Sequence, residues 1–498
     1  MDRFVRKSPV GVLQIFLAFL MSLMIVVLSE LSITWLVLLF LGLGFLAVVL
    51  WSGNVKDFLF VGMMLASSID INKALVAKGG VYVPGLSITL MDIFFLPLLA
   101  IWLFEKLVIN RQRLRWNKLY LLPLLYILWC WISVVNSGDK LPSILLCINY
   151  TRYLLIFVLI ADFINQPRHL RLALFGLGGA IILHLVFVVL QIATGGAFEI
   201  QGTKTATAGT TLVFENAGGM HVFRPSGFMG HPNMLADYLV FVLPLLFTLT
   251  LMGVKRIGRL VWLSVLVLFV LGVATIVLTL SRGGWISFAL AIFFVLGFGY
   301  LRGIVTAQLI SRLAVLGVVG MICVVIAFPA ALLRITESDQ RSTESRFVMM
   351  DHALLVIERN LLTGVGMGGY REAAKNNIPK SFAQLSLWYQ EELLKGVVHN
   401  KYLLTMAEIG VIGFIIFVLM LWKFTTAVIR VNYWRDPVYF AVGLGLSAGI
   451  FGQVVFYMFD HFYGDARKTL LFVFFGLVVA TIKLQKMQIK QPTAQASL

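Results

Sequence analysis

The chain has 498 residues, 60% hydrophobic and 13% charged, with a mean hydropathy of +0.94. A soluble globular protein of this length cannot hide so much apolar surface, because surface-to-volume scaling leaves too small an interior. The formal net charge of +17 does not point to a nucleic-acid partner either. The cations cluster beside apolar runs, at Arg3, Arg6 and Lys7, at Arg111, Arg113 and Arg115, at Lys255, Arg256 and Arg259, and at Lys483, Lys486 and Lys490, which is the pattern of loops kept in the cytoplasm.

In chain order, a basic N-terminal start leads into a long apolar run with no small-x-small cleavage site, and reads as an uncleaved first membrane helix. Apolar runs of about 20 residues follow, each long enough to span hydrocarbon as a helix. They predict about fourteen spans, near 10–28, 31–51, 57–69, 88–104, 119–135, 143–162, 172–193, 234–253, 260–280, 285–301, 313–331, 402–422, 438–459 and 469–482. One mis-split pair would make the count twelve. A β-barrel would instead alternate in runs of about 10 residues. The expected fold is an all-α polytopic integral membrane protein, one transmembrane domain over residues 1–498 with both termini cytoplasmic. The alternation puts two long loops outside: 194–233, rich in Gly and Thr, and 332–400, whose helical patterns ("ESRFVMMDHALLVIERN" and "SLWYQEELLKGVV") predict a partly helical external cap. Cys130, Cys147 and Cys323 lie inside apolar runs, without the spacing of a disulfide frame or zinc site.

The outward-facing ends carry the candidate chemistry. In "FRPSGFMGHPN", Arg224 and His231 sit among turn-forming prolines and glycines just before a span. In "LTLSRGGWISFALA", Arg282 occupies a tight turn. Arg224 alone has an interfacial anchor as its alternative reading, and for Arg282 in isolation an anchor is the better one. With Arg341 and Arg346 they form an outward set, and guanidinium groups grip phosphate through paired donors, which suggests a diphosphate or polyanion site. In "VVHNKYLLTMAEIG", His399 and Asn400 open a span, and Tyr402 follows one turn later. A histidine accepts a proton near neutral pH; its alternative is a bond to a neighbouring carbonyl. Glu408 falls on the other side of that helix and should pair with another helix. Arg152, near the middle of a span, costs about 2.5–3.5 kcal/mol unless it faces protein or water. It could reach a bound anion, but a structural pair with Asp92 or Asp237 is favoured. "GVGMGG" at 364–369 has the letters of a dinucleotide loop but no strand before it, and His221 with His231 lacks further ligands at metal spacing.

Four stretches, "RPSGFMGHPNMLADYLVFVLPL", "LTLSRGGWISFALA", "SRFVMMDHALLVIERNLLTGVGMGGY" and "VHNKYLLTMAEIGVIGFIIF", together resemble, in order and spacing, the O-antigen ligase/polymerase superfamily over roughly residues 220–420. The resemblance implies a GT-C-like glycosyltransferase of the bacterial cytoplasmic membrane that moves glycan from undecaprenyl diphosphate on the outer face. It assigns Arg224 and Arg282, and more weakly Arg346, to the donor diphosphate, and His399 to the place beside the acceptor. Arg152, His231, Asn400 and Tyr402 are accessory candidates. It implies no cofactor and no metal, and an inverting transfer. A polymerase acting on lipid-linked repeat units is favoured, with a chain-length regulator and a flippase as partners; the alternative is a ligase acting on lipid A-core or protein. A secondary anion transporter or lipid flippase is the rival class, but the paired interrupted halves typical of transporters are not visible.

Overall fold

The computed structural model describes residues 53–490, apart from 77–85, 112–115, 197–212, 216–220, 337–339, 380–381, 383–389, 391–393, 395, 432–433, 435 and 462–463. The expected spans at 10–28 and 31–51 lie outside the described residues, as do most of 194–233 and most of "SLWYQEELLKGVV".

The remaining twelve expected spans each fall on a helix. These are α1 (Val55–Ala66), α2 (Asp92–Phe104), α3 (Leu121–Ser133), α4 (Lys140–Phe163), α5 (Pro167–Ala193), α6 (Pro232–Met252), α7 (Arg259–Leu278), α8 (Arg282–Leu301), α9 (Ala307–Ala327), α13 (Lys401–Ala427), α14 (Pro437–Phe456) and α15 (Asp465–Lys490). Among the described residues, nine helical stretches are long and apolar enough to cross a membrane. The fold is mostly helical, but not purely so. Strands β1 (Asn72–Val76) and β2 (Leu86–Thr89) form one antiparallel hairpin, and β3 (Val213–Glu215) and β4 (His221–Phe223) form another. Both lie in loops at the end of the bundle that carries His399.

Burial separates core helices from the rim. Nearly every residue of α6 from Leu235 to Leu249 is buried, and so is most of α14 and α15. By contrast α7 and α8 leave most of their apolar surface outward, facing where lipid would be. α14 packs on α6 and on α8, and α15 packs on α4. Hydrophobic collapse supplies little drive between helices in lipid, so close approach matters more. Gly445 and Gly449 of α14 permit it: added Cβ atoms would strike Leu245 Cα at 2.6 Å and the Phe241 carbonyl oxygen, respectively.

The expected cap segment is helical in part. Helices α10 (Pro329–Thr336), α11 (Gln340–Arg359) and α12 (Tyr370–Lys375) lie in 332–400 or at its edge, and α11 and α12 pack on α13 through Ala353, Val356, Tyr370, Leu404 and Ala407. The cap also reaches inward. Inside α13, Gly410 has φ 68° and ψ −177°, a conformation almost confined to glycine, which breaks the helix about two turns in. A break at such depth survives only if its freed backbone groups find protein partners. The glycine-rich stretch of the cap provides them. Val365 N–H donates to the Ala407 carbonyl (3.0 Å), Gly366 N–H to the Glu408 carbonyl (2.9 Å), and Val411 N–H to the Leu361 carbonyl (2.8 Å). The Trp129 indole N–H donates to the Ile409 carbonyl at 2.8 Å. "GVGMGG" is thus a structural plug for a broken helix.

Replacing Gly410 by Ala should force Cβ against the Leu362 backbone and cost about 1–3 kcal/mol in backbone strain alone. A clear fall in melting temperature in detergent checks this. Gly297→Ala, where a Cβ meets nothing within 4 Å, should leave it unchanged.

Candidate functional site

Four helices begin at the same end of the bundle: α6 at Pro232, α8 at Arg282, α13 at Lys401 and α15 at Asp465. Each needs its first N–H groups satisfied, and the sequence supplies the caps. His231 Nδ1 accepts from Asn233 N–H (3.1 Å), Ser281 Oγ from Gly284 N–H (3.4 Å), and Asn400 Oδ1 from the N–H groups of Tyr402 and Leu403 (3.0 Å each). Asn400 therefore stands beside His399 because α13 starts there.

Arg224 ties two of these starts together. Its Nε donates to the Thr279 carbonyl at 2.8 Å and its Nη2 to Asn233 Oδ1 at 2.9 Å, joining the turn before α8 to the first turn of α6. That turn is held against preference. Leu280 has φ 51°, uncommon for a bulky residue, and its side chain is fully buried beside Ala331. Arg282 follows two residues later, half-buried. Among the described residues its guanidinium has no hydrogen-bond or ion-pair partner. Next to it, a Cβ on Gly283 would lie 2.9 Å from Phe459 Cβ, so the start of α8 rests on the loop between α14 and α15.

The same loop meets His399. Its Nδ1 is 3.8 Å from Asp460 Oδ1, and its ring meets that of His461 edge-on at 4.8 Å. Asp460 Oδ1 is also 2.8 Å from His461 Nδ1, and its other oxygen lies 3.2 Å from Arg467 Nη1. Arg467, 1% exposed, reaches Asp237 of α6 at 3.4 Å. A line of ionisable groups therefore runs from His399 through the buried Asp460 and Arg467 to Asp237, while the His399 side chain keeps 38% of its surface open.

Titration reflects this arrangement. Burial alone would raise the Asp460 carboxyl, but Arg467 and His461 outweigh it and hold the group well below the usual carboxylate range. Burial lowers His461. Burial, with the nearby Arg224 charge, pushes His231 down to about 4; Asp460, Arg467 and His399 also act on it. His231 thus feels both the Arg224 side and the His399 side of the cluster.

The structure therefore brings Arg224, His231, Arg282, His399 and Asn400 to one end, around Phe459, Asp460 and His461. Arg346 lies in the second turn of α11 on the cap, half-buried, and the bonds above run through other residues. Arg152 takes the expected structural pair: Nη1 lies 2.7 Å from Asp92 Oδ2 and also donates to the Ser87 carbonyl at 2.9 Å, while Nη2 lies 3.8 Å from Asp465. Asp237, the other expected partner, belongs to Arg467 instead. The Tyr402 hydroxyl donates to the Val454 carbonyl at 2.6 Å. Asp460, His461 and Arg467 were not anticipated; the signal was the polar density of "FDHFYGDARK" directly before the last span. Ligand atoms of His399, Asp460 and His461 lie within 4.8 Å of one another, a spacing a metal could use. The fixed guanidinium on the shared carboxylate fits ion pairing better than a second cation.

Residues 267–418, about a third of the chain, match the family model described as O-Antigen ligase. The match supports the O-antigen ligase/polymerase superfamily. That segment contains Arg282, Arg346 and His399, whereas Arg224 and the Asp460 loop lie to either side of it. No curated protein matches the chain.

Two outcomes follow from this cluster as built. Arg467→Leu removes the guanidinium shared by two buried carboxylates and should destabilise the protein by about 3–5 kcal/mol, read as lost thermal stability. His231, with a depressed folded pKa, contributes stability that is present above about pH 6.5 and lost as pH falls toward 4, because the unfolded chain then binds more protons. His231→Asn, which can still cap α6, should flatten the stability profile in that window.

Proposed function

We propose that this chain is a glycosyltransferase of the bacterial cytoplasmic membrane, GT-C-like in architecture, that transfers lipid-linked oligosaccharide repeat units from undecaprenyl diphosphate onto a growing glycan. The end bearing His399 faces outward in this reading, in keeping with the bias of basic loops to the opposite end. The observation that carries the reading is that Arg224, Arg282 and His399, far apart in the chain, are gathered around one loop, with Arg282 unpaired among the described residues.

The chemistry follows from those groups. An acceptor hydroxyl attacks the anomeric carbon from the face opposite the diphosphate, and the carbon–oxygen bond to phosphate breaks with its electron pair going to the leaving diphosphate. His399 takes the hydroxyl proton, and Asp460 orients the imidazole and stabilises its cationic form, as a carboxylate does behind other histidine bases. Arg282 and Arg224 stabilise the charge growing on the diphosphate, reinforced by the positive ends of α6 and α8. The transfer inverts configuration and needs no metal. A chain-length regulator and a flippase are the partners this role would need. A second reading, a ligase that delivers glycan to lipid A-core or protein, is favoured by the description of the matching family.

Purified protein in liposomes, given lipid-linked repeat units alone, separates the two: longer products support a polymerase, and transfer that needs lipid A-core or protein supports the ligase. Uptake of labelled anion without bond formation would overturn both. His399→Ala should cut turnover about 10²–10⁴-fold, and Arg282→Ala about 10²–10³-fold, with thermal stability kept. Unchanged rates in both variants would remove the proposed site.

A further inference from the structure

The opposite end of the bundle has a cavity of its own. It measures about 480 Å³ and lies between the segment entering α3, the end of α13 and the end of α15. Lys118, Lys423, Arg430 and Lys486 line it together with Trp116 and Asn117, and among the described residues no carboxylate does. Lys423 and Ala427 stand one turn apart on α13, with Arg430 in the turn just beyond, so that helix presents one face to the cavity. Among the described residues, none of the four cations has a salt-bridge or side-chain hydrogen-bond partner. Lys56, Lys106 and Arg168, near the same end, do pair, with Glu105, Asp162 and Asp57.

Basic loops at this end have a sufficient topological reason to exist, but that reason asks only for charge near the membrane. It does not gather four cations from three separate segments around one concavity. Like charges so placed repel, and an anion between them relieves the cost. The volume falls within the range of ligand sites, about 300–1,000 Å³, and Trp116, 63% exposed, is the residue type that settles at the headgroup level of a bilayer. α13 alone, at 27 residues, puts on the order of 40 Å of helix between this cavity and His399, so the two sites are distinct.

We propose that this cavity binds a phosphate-bearing anion, its phosphate oxygens held by Lys118, Lys423, Arg430 and Lys486. Such a phosphate is carried either by the headgroup of an acidic phospholipid in the adjoining leaflet or by a free inorganic anion, and basic pockets between membrane helices suit the former. Binding is electrostatic, weakens with added salt, and is independent of the glycosyl-transfer reading, because no residue is shared.

The test uses the full-length purified protein in nanodiscs of zwitterionic lipid. Acidic phospholipid (phosphatidylglycerol or cardiolipin) is added in one arm and inorganic diphosphate in the other, with bound species counted by native mass spectrometry. The wild type should take up at least one of these probes, and a Lys423→Gln/Lys486→Gln double variant should bind it at least 10-fold more weakly. Lys423→Arg/Lys486→Arg, which keeps the charge, should restore it. Uptake of phospholipid supports the lipid source, and uptake of diphosphate supports the soluble one. No uptake of either by the wild type, or equal uptake by the Gln variant, overturns the proposal. Circular dichroism and elution matching the wild type establish that the variants are folded.

Discussion

A guanidinium wedged between two carboxylates organises the site end of this molecule. Arg467 is almost wholly buried, between Asp237 of α6 and Asp460 of the loop before α15. Charges in such a place are tolerated only as a compensated set. The set fixes the loop, and the loop in turn receives His399 on one side and the start of α8, through Gly283 and Phe459, on the other. Separate requirements, to neutralise a buried arginine, to cap helices and to close the turn at Leu280, all converge on that one arrangement. The placement of Arg282 and His399 at this end of the bundle is a consequence of satisfying them.

The membrane helices were legible because about 20 apolar residues admit few other structures in lipid, and each of the twelve expected spans within the described residues coincides with a helix. Arg152 was legible for the same reason: a mid-span charge must find a partner, and Asp92 was a short reach away. Other features escaped because they depend on partners remote in sequence. Nothing local at Gly410 announces a broken helix, since the deciding hydrogen bonds come from residues 361–366. Asp460 and His461 read as loop residues until α6 and α13 are packed beside them. The β-hairpins were missed because they are short and sit in loops whose polarity resembles any surface turn. Arg224, His231, Arg282 and His399 were found by residue type and by the side of the membrane they would share, and that reasoning could not separate an anchor from a ligand-binding group. Tyr402 and Asn400 show the limit: their company is suggestive, but a carbonyl and a helix cap account for them.

The two ends of the bundle differ in how they hold positive charge. At the site end, arginines are threaded into hydrogen bonds and ion pairs beside helix N-termini, and among the described residues the guanidinium of Arg282 is left over. At the other end, four cations surround a cavity that, among the described residues, no carboxylate lines. A protein handling a long lipid diphosphate at one surface while anchored among acidic headgroups at the other would need that asymmetry, since fixed, preorganised charge suits a transition state and looser charge suits a mobile lipid.

The central claim is that a lipid diphosphate lies against the arginines and histidine gathered by the Asp460 loop. The most direct measurement is photo-crosslinking with a polyprenyl diphosphate analogue that carries its reactive group next to the diphosphate, followed by mapping of the labelled peptides. The account predicts label on 223–233, 279–284, 399–400 and 459–461. Label confined to the basic cavity around Lys118 and Lys486, or spread along the lipid-facing side of α7, would contradict it.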